Sequence, residues 1–189
     1  MTDILDPADG ETMAATGTPP FEEAVARVLD HEGGFQCDPE DAGNWTGGRI
    51  GRGALKGTKY GISAAQYPAL DIAGLTPAAA AAIYASDYWL RYRLDRLPPA
   101  LAPKALDTAV LIGPQEAIRL LQQAVDAAGA PCASDGAIGP DTIAACRRAP
   151  AGRVLERYRA LLVEHFVALA AANPGQRRFL AGWTRRALA

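Results

Sequence analysis

His31-Glu32-Gly33-Gly34-Phe35 closes an amphipathic helical pattern with a carboxylate and two glycines, and the rest of the chain reads outward from it. Phe21, Val25, Val28 and Leu29 fall on one helical stripe, and the next position on that stripe is Glu32. A charge therefore stands where the core should continue. Gly33 and Gly34 end the helix, since glycine accepts the left-handed conformation of a C-cap. This places Glu32 in the last helical turn at the edge of the core. Desolvation and the C-terminal end of a helix dipole both favour the protonated form of a carboxyl, the condition of a general acid. A solvated helix-end glutamate is the plainer alternative, and the remainder of the chain has to decide between them.

The chain has 189 residues, 49% of them hydrophobic, enough for one sizeable core or two packed lobes. Its net charge of -2 conceals an uneven distribution: residues 147–189 carry two acids against nine arginines. That basic end suits an anionic partner such as a cell-wall polymer, a lipid surface or nucleic acid, although a solvated helix face is the commoner explanation. The arginines are not interleaved with aromatics and no nucleic-acid motif occurs, so no nucleic-acid partner is expected. Cys37, Cys132 and Cys146 are too few and too scattered for a disulfide framework or a zinc site; one Cys132–Cys146 bridge or three free thiols both fit. Neither His31 nor His165 has partners at ligand or triad spacing, so no metal and no cofactor is expected. No Sec-type signal and no apolar run of membrane-spanning length is read, which predicts cytoplasmic synthesis without an integral membrane segment.

Residues 1–20, acidic and closed by Pro19-Pro20, read as a flexible leader. The first helix is expected over 21–32. From Phe35 to Tyr60 no helical period exists, and glycines punctuate short stretches, which predicts one or two β-hairpins. A loop-rich stretch of this length in a compact domain is functional or disordered, and Asp38, Asp41, Asn44, Trp45, Thr58 and Tyr60 are residues that line a polar cleft. Helices follow: a short one capped by Ser63 and stopped before Pro68, one opened by Thr76-Pro77, then about 100–112, 115–125, Pro140 to near Arg148, 153–172 and 176–188. In the last, Phe179, Leu180 and Trp183 are expected inward and four arginines outward. Trp89, Tyr88 and Trp183 sit on helical stripes and read as core. Asp107 is the lone acid in an apolar run, suited to bonding buried backbone or to the cleft. The fold class is mainly α (α+β), helical with a small β-hairpin patch after the first helix.

The ordered motifs Glu32-Gly33-Gly34-Phe35, Asp38-Pro39, Asp41-Ala42-Gly43, Thr58-Lys59-Tyr60-Gly61-Ile62-Ser63 and Tyr67-Pro68 resemble the N-terminal signature of glycoside hydrolase family 108. Tyr84 to Trp89 and Asp107 to Gly113 resemble the rest of that region. Leu121-Gln122, Asp135-Gly136-Ala137-Ile138-Gly139-Pro140 and Thr142 resemble the family's appended predicted peptidoglycan-binding region. Asn44 to Gly57 is inserted relative to the family's usual short link.

The resemblance implies a lysozyme-like fold and an endolysin-like N-acetylmuramidase that cleaves peptidoglycan glycan strands. Its two parts would be a catalytic region, 21–112, and a helical C-terminal region, 113–189, packed as the second lobe of one domain. Glu32 would be the general acid, Asp41 the stabilising or water-positioning carboxylate with Asp38 as its rival, and Thr58 a water-positioning hydroxyl. Asp38, Asn44, Trp45 and Tyr60 would meet the sugar. Each Asp also has a plain reading as a turn former, because Asp38 precedes Pro39 and Asp41 stands two before Gly43. A lytic transglycosylase needs one Glu and no base, and a non-catalytic wall-binding protein needs neither; both stay open. The chain would act as a monomer on the cell wall, reached from the cytoplasm through a holin-like pore or another release route.

Overall fold

The computed structural model describes residues 19–189. Residues 1–18 of the expected leader lie outside them. Pro19-Pro20 does not stop the chain but opens helix α1, Pro19–Glu32, since proline lacks only an N–H that a first helical turn leaves unbonded anyway. Phe21, Val25 and Val28 of α1 are buried, as the stripe requires. Gly33 follows at φ 74, the left-handed cap that turns the chain away.

The glycine-rich stretch contains little regular structure. Gln36 bridges Thr58, Trp45 bridges Leu55, and two-residue strands β1, Thr58–Lys59, and β2, Ile62–Ser63, pair antiparallel in the register Thr58 to Ser63. A single 3-10 turn spans Ala42–Asn44. The short helix expected after Ser63 is absent: Ser63 belongs to β2, and one turn, Tyr67 N to Ser63 O at 3.0 Å, is all that fits before Pro68.

Thr76 caps α2, Pro77–Tyr84, by accepting from Ala79 N at 3.2 Å, and the helix runs on as a π-helical turn, Ala85–Leu90. Then come α3, Ala102–Ile112, α4, Pro114–Ala127, α5, Pro140–Arg148, and α6, Ala151–Ala172. The last expected helix divides into a 3-10 segment, Pro174–Phe179, and α7, Leu180–Leu188. Phe179 is exposed, with Arg178 over its ring, so it does not point inward as expected. Trp183 is half-buried and stacks on Phe166 at 5.1 Å, which seats α7 on α6.

The fold is mainly α and lysozyme-like, with its β patch directly after the first helix. α1 packs on α3, α3 on α4, α4 on α6 and α6 on α7. One apolar cluster runs through all of them, from Phe21 and Trp89, whose rings are 5.3 Å apart, to Tyr158, Phe166 and Ala187. α3 and α4 meet at Gly113-Pro114 with no linker between them. Among the described residues no helix is long and apolar enough to cross a membrane. All three cysteines are free thiols: Cys37 is exposed, Cys132 half-buried and Cys146 buried.

Candidate active site

Glu32 stands at the end of α1, its side chain 24% exposed. Its carboxylate does not face an apolar pocket. Arg186 of α7 donates from Nη1 to Glu32 Oε1 at 2.8 Å and from Nε to Asp107 Oδ1 at 2.9 Å. Lys104 lies 3.4 Å from Asp107 Oδ2 and donates to the Arg186 carbonyl at 2.8 Å. At the edge of the core, where it was expected, Glu32 thus joins a four-membered ion cluster. Arg186 was also expected to point outward, yet only 14% of its side chain is exposed. Burial pulls its guanidinium down, and Asp107 and Glu32 outweigh burial and hold it above its ordinary value. Burial pushes Lys104 down, with Asp107 opposing.

On its other side Glu32 meets the hairpin. A Cβ on Gly61 would lie 2.7 Å from Tyr84 Oη, 2.9 Å from Glu32 Cγ and 3.1 Å from Glu32 Oε2, so only glycine allows this approach. Tyr84 is buried and donates to the Tyr60 carbonyl at 2.8 Å. Burial first, then the Glu32 carboxylate, pushes the Tyr84 phenol far above its usual range, which keeps it a donor. Tyr60 takes a left-handed backbone, φ 53, and its N–H bonds the Gly33 carbonyl at 3.2 Å, tying the hairpin turn to the end of α1. Of the expected sugar-contacting residues, Tyr60 is thus tied through its backbone to the end of α1 and to Tyr84.

The other expected site residues form a second cluster around a buried amide. Asn44 is 0% exposed: it donates to Gln36 Oε1 at 2.8 Å and to the Asp38 carbonyl at 2.9 Å, and accepts from Gln36 Nε2 at 3.1 Å and Thr58 Oγ1 at 2.7 Å. Substrate contact by Asn44 is corrected accordingly, because every polar atom of its amide is turned into the loop. Asp41 accepts from Gly43 N at 2.8 Å and Gln36 Nε2 at 3.2 Å, and Asp38 accepts from Glu40 N at 2.9 Å, so both carboxylates perform the turn-forming task that their spacing to proline and glycine allowed. Asp41 and Asp38 are nonetheless exposed. Trp45 is half-exposed and its indole N–H bonds the Pro39 carbonyl at 2.9 Å. No hydrogen bond joins Glu32 to Asp41, Asp38 or Thr58 among the described residues.

Sequence reasoning missed Arg186, Lys104, Tyr84 and Gln36. Arg186 had a signal: it stands three residues after Trp183 and one before the fully buried Ala187, on the face of α7 that meets the core. Gln36 had none, being one polar residue in an irregular loop.

The Glu-Gly-Gly end of α1, the hairpin and the helices behind them lie within residues 25–113, which match the family model Glycosyl hydrolase 108. Residues 116–188 match the model Predicted Peptidoglycan domain. Among solved structures the chain is similar to SagA of Brucella abortus, with 27% identity and a TM-score of 0.63 over 89% of this chain and 93% of that one. No match occurs among curated proteins. The two consecutive family matches support a glycoside hydrolase acting on peptidoglycan, in which a region matching glycosyl hydrolase 108 is followed by one matching a predicted peptidoglycan domain.

Proposed function

We propose that the chain is an N-acetylmuramidase that hydrolyses the β-1,4 bond between N-acetylmuramic acid and N-acetylglucosamine, with Glu32 as general acid. The observation that carries this is the placement of Glu32, a partly exposed carboxylate at a helix end, pressed against a hairpin glycine inside the glycosyl hydrolase 108 region. Glycan hydrolysis needs a proton for the leaving oxygen and a second group to manage the oxocarbenium-like centre or an attacking water. Glu32 supplies the first. Asp41 supplies the second, its carboxylate already oriented by Gly43 N and Gln36; Thr58, oriented by Asn44, helps to place water. Tyr60 and Trp45 offer aromatic faces to the sugar rings, and the exposed Asp38 a polar edge.

The C-terminal region acts as the second lobe of one domain, since a single core crosses the Gly113-Pro114 junction. Digestion of purified sacculi by wild type, Glu32→Gln and Asp41→Asn, with products read by mass spectrometry, tests these assignments. Reducing-end muramic acid from wild type and none from Glu32→Gln is the expected result; unchanged digestion by Glu32→Gln ends the reading.

The engagement of Asp38 and Asp41 in local turns favours a second reading, a lytic transglycosylase. That chemistry uses one glutamate as acid and then base, with the substrate's own hydroxyl attacking. The same spectra separate the two, because anhydro-muramic products identify the transglycosylase.

A further inference from the structure

We propose that Arg186, supplied by the C-terminal region, is the positioning residue of Glu32, so that the predicted peptidoglycan region completes the reacting site in addition to any contact it makes with the wall. This rests on Glu32 being the reacting carboxylate.

Arg186 reaches Glu32 across 154 positions of sequence, from the last turn of α7 to the last turn of α1. Its guanidinium is anchored twice, by Asp107 at Nε and Glu32 at Nη1, and two non-parallel bonds fix both its place and its plane. The anchor is itself held. Lys104 bonds Asp107 and also the Arg186 carbonyl, so one buried ammonium secures the acid that binds Arg186 and the helix end that carries it. Trp183, one turn earlier, stacks on Phe166 of α6, and Ala187 is wholly buried. These contacts seat α7 on α6 and α3. Glu32 is confined from the opposite side by Gly61 and Tyr84. The titratable and charged groups around it are Arg186 from α7, Lys104 and Asp107 from α3, and Tyr84 and Tyr88 from α2 and the π turn.

A largely buried cluster of two cations and two anions is a poor device for stability, because desolvating the charges offsets their attraction. Arg186 Nη2 is moreover buried with no acceptor among the described residues, so its hydrogen bonding is incomplete. The arrangement does achieve one thing that an apolar contact would not: it fixes one oxygen of Glu32 and leaves Oε2 toward the hairpin. A carboxyl held in one rotamer meets the leaving oxygen in one geometry, and displacement by an ångström costs on the order of a hundredfold in rate.

The test uses the full chain. Soluble, uncrosslinked peptidoglycan glycan strands serve as substrate for kcat and KM, and intact sacculi for sedimentation. Arg186→Gln keeps a donor and most of the packing but removes the charge. It is expected to lower kcat roughly 30-fold to 100-fold with KM changed less than about twofold and with sedimentation unchanged. Arg186→Lys, which restores a cation without the fork, is expected to recover about a tenth of wild-type kcat. Wild-type kcat in folded Arg186→Gln overturns the inference. If that variant melts below the assay temperature, Asp107→Asn decides, since it leaves Arg186 in place and removes one anchor: a kcat loss of about threefold or more at constant KM supports the inference, and wild-type kcat overturns it. Glu32→Gln is run alongside. Activity in Glu32→Gln overturns the catalytic reading and this inference with it, whereas an inactive Glu32→Gln beside a fully active Arg186→Gln overturns the positioning role alone.

Discussion

Two loops of the molecule, one in each family-matched region, are both organised by a fully buried side-chain amide, and they differ in where that amide is mounted. In the hydrolase region Asn44 lies within the loop it organises and binds Gln36, Asp38 and Thr58 of the same loop, while its own carbonyl takes Lys56 N at 2.9 Å and Gly57 N at 3.1 Å. In the C-terminal region Gln122 sits on α4 and reaches out to a loop it does not belong to. It donates to Asp135 Oδ1 at 2.8 Å, the Ala137 carbonyl at 3.0 Å and Thr142 Oγ1 at 3.1 Å, and accepts from Gly136 N at 2.8 Å. The first amide ties a loop to itself; the second ties a loop and the start of α5 to the helical core. A loop fixed from within can open alone, whereas a loop fixed to a core helix opens with the core.

The largest expected effect separates them directly. Gln122→Ala leaves four polar partners unsatisfied or newly exposed and should remove about 2–4 kcal/mol of global stability. In thermal melting that corresponds to a fall of roughly 5–15 °C. Asn44→Ala should act locally: amide exchange over residues 36–58 speeds up and sacculus digestion drops about tenfold or more, while the midpoint moves less than half as far as for Gln122→Ala. Equal shifts in both variants would erase the distinction.

A smaller effect comes from the threonines. The Thr142 hydroxyl both accepts from Gln122 and donates to the Ala137 carbonyl at 3.2 Å, whereas the Thr58 hydroxyl donates to Asn44 alone. Thr142→Val should therefore cost about 1–2 kcal/mol and Thr58→Val about half of that, measured by denaturant unfolding.

Acid should loosen the second loop. The Gln122 amide and then the Ala137 N–H hold the Asp135 carboxyl below its ordinary value. A folded value below the unfolded one gives stability that is present above about pH 4 and is lost as pH falls through the folded value. The difference between wild type and Gln122→Ala should shrink on acidification below that point; a constant difference would remove Asp135 from the account.

The smallest effect sharpens the same contrast through thiols. Cys37 lies on the first loop and is exposed, whereas burial pushes Cys146, in α5, up to about 11. A thiol reagent should label Cys37 at once and Cys146 only as fast as the second loop and α5 open, so Gln122→Ala should accelerate Cys146 and leave Cys37 unchanged.

The helices and their ends were readable because their signals are local. Thr76-Pro77, Gly113-Pro114 and Gly139-Pro140 mark boundaries through backbone preferences of one or two residues, and α2, α4 and α5 begin there. Glu32 was readable because a charge on an apolar stripe breaks a period. The role of Asn44 was less so: a residue that organises a loop from within and one that lines a cleft share the same composition, and only burial tells them apart. The partner of Glu32 was beyond reach for another reason. Periodicity places Arg186 on a face of α7, but what that face meets depends on how α6 and α3 stack, which no local pattern encodes.

The length of chain between Glu32 and Arg186 also has a consequence for synthesis. A ribosome extends a chain by about 5–20 residues per second, so on the order of ten seconds or more separate the emergence of these two side chains. Throughout that interval the nascent hydrolase region carries its glutamate without the arginine that binds it, and the complete ion cluster can form only once α7 has emerged.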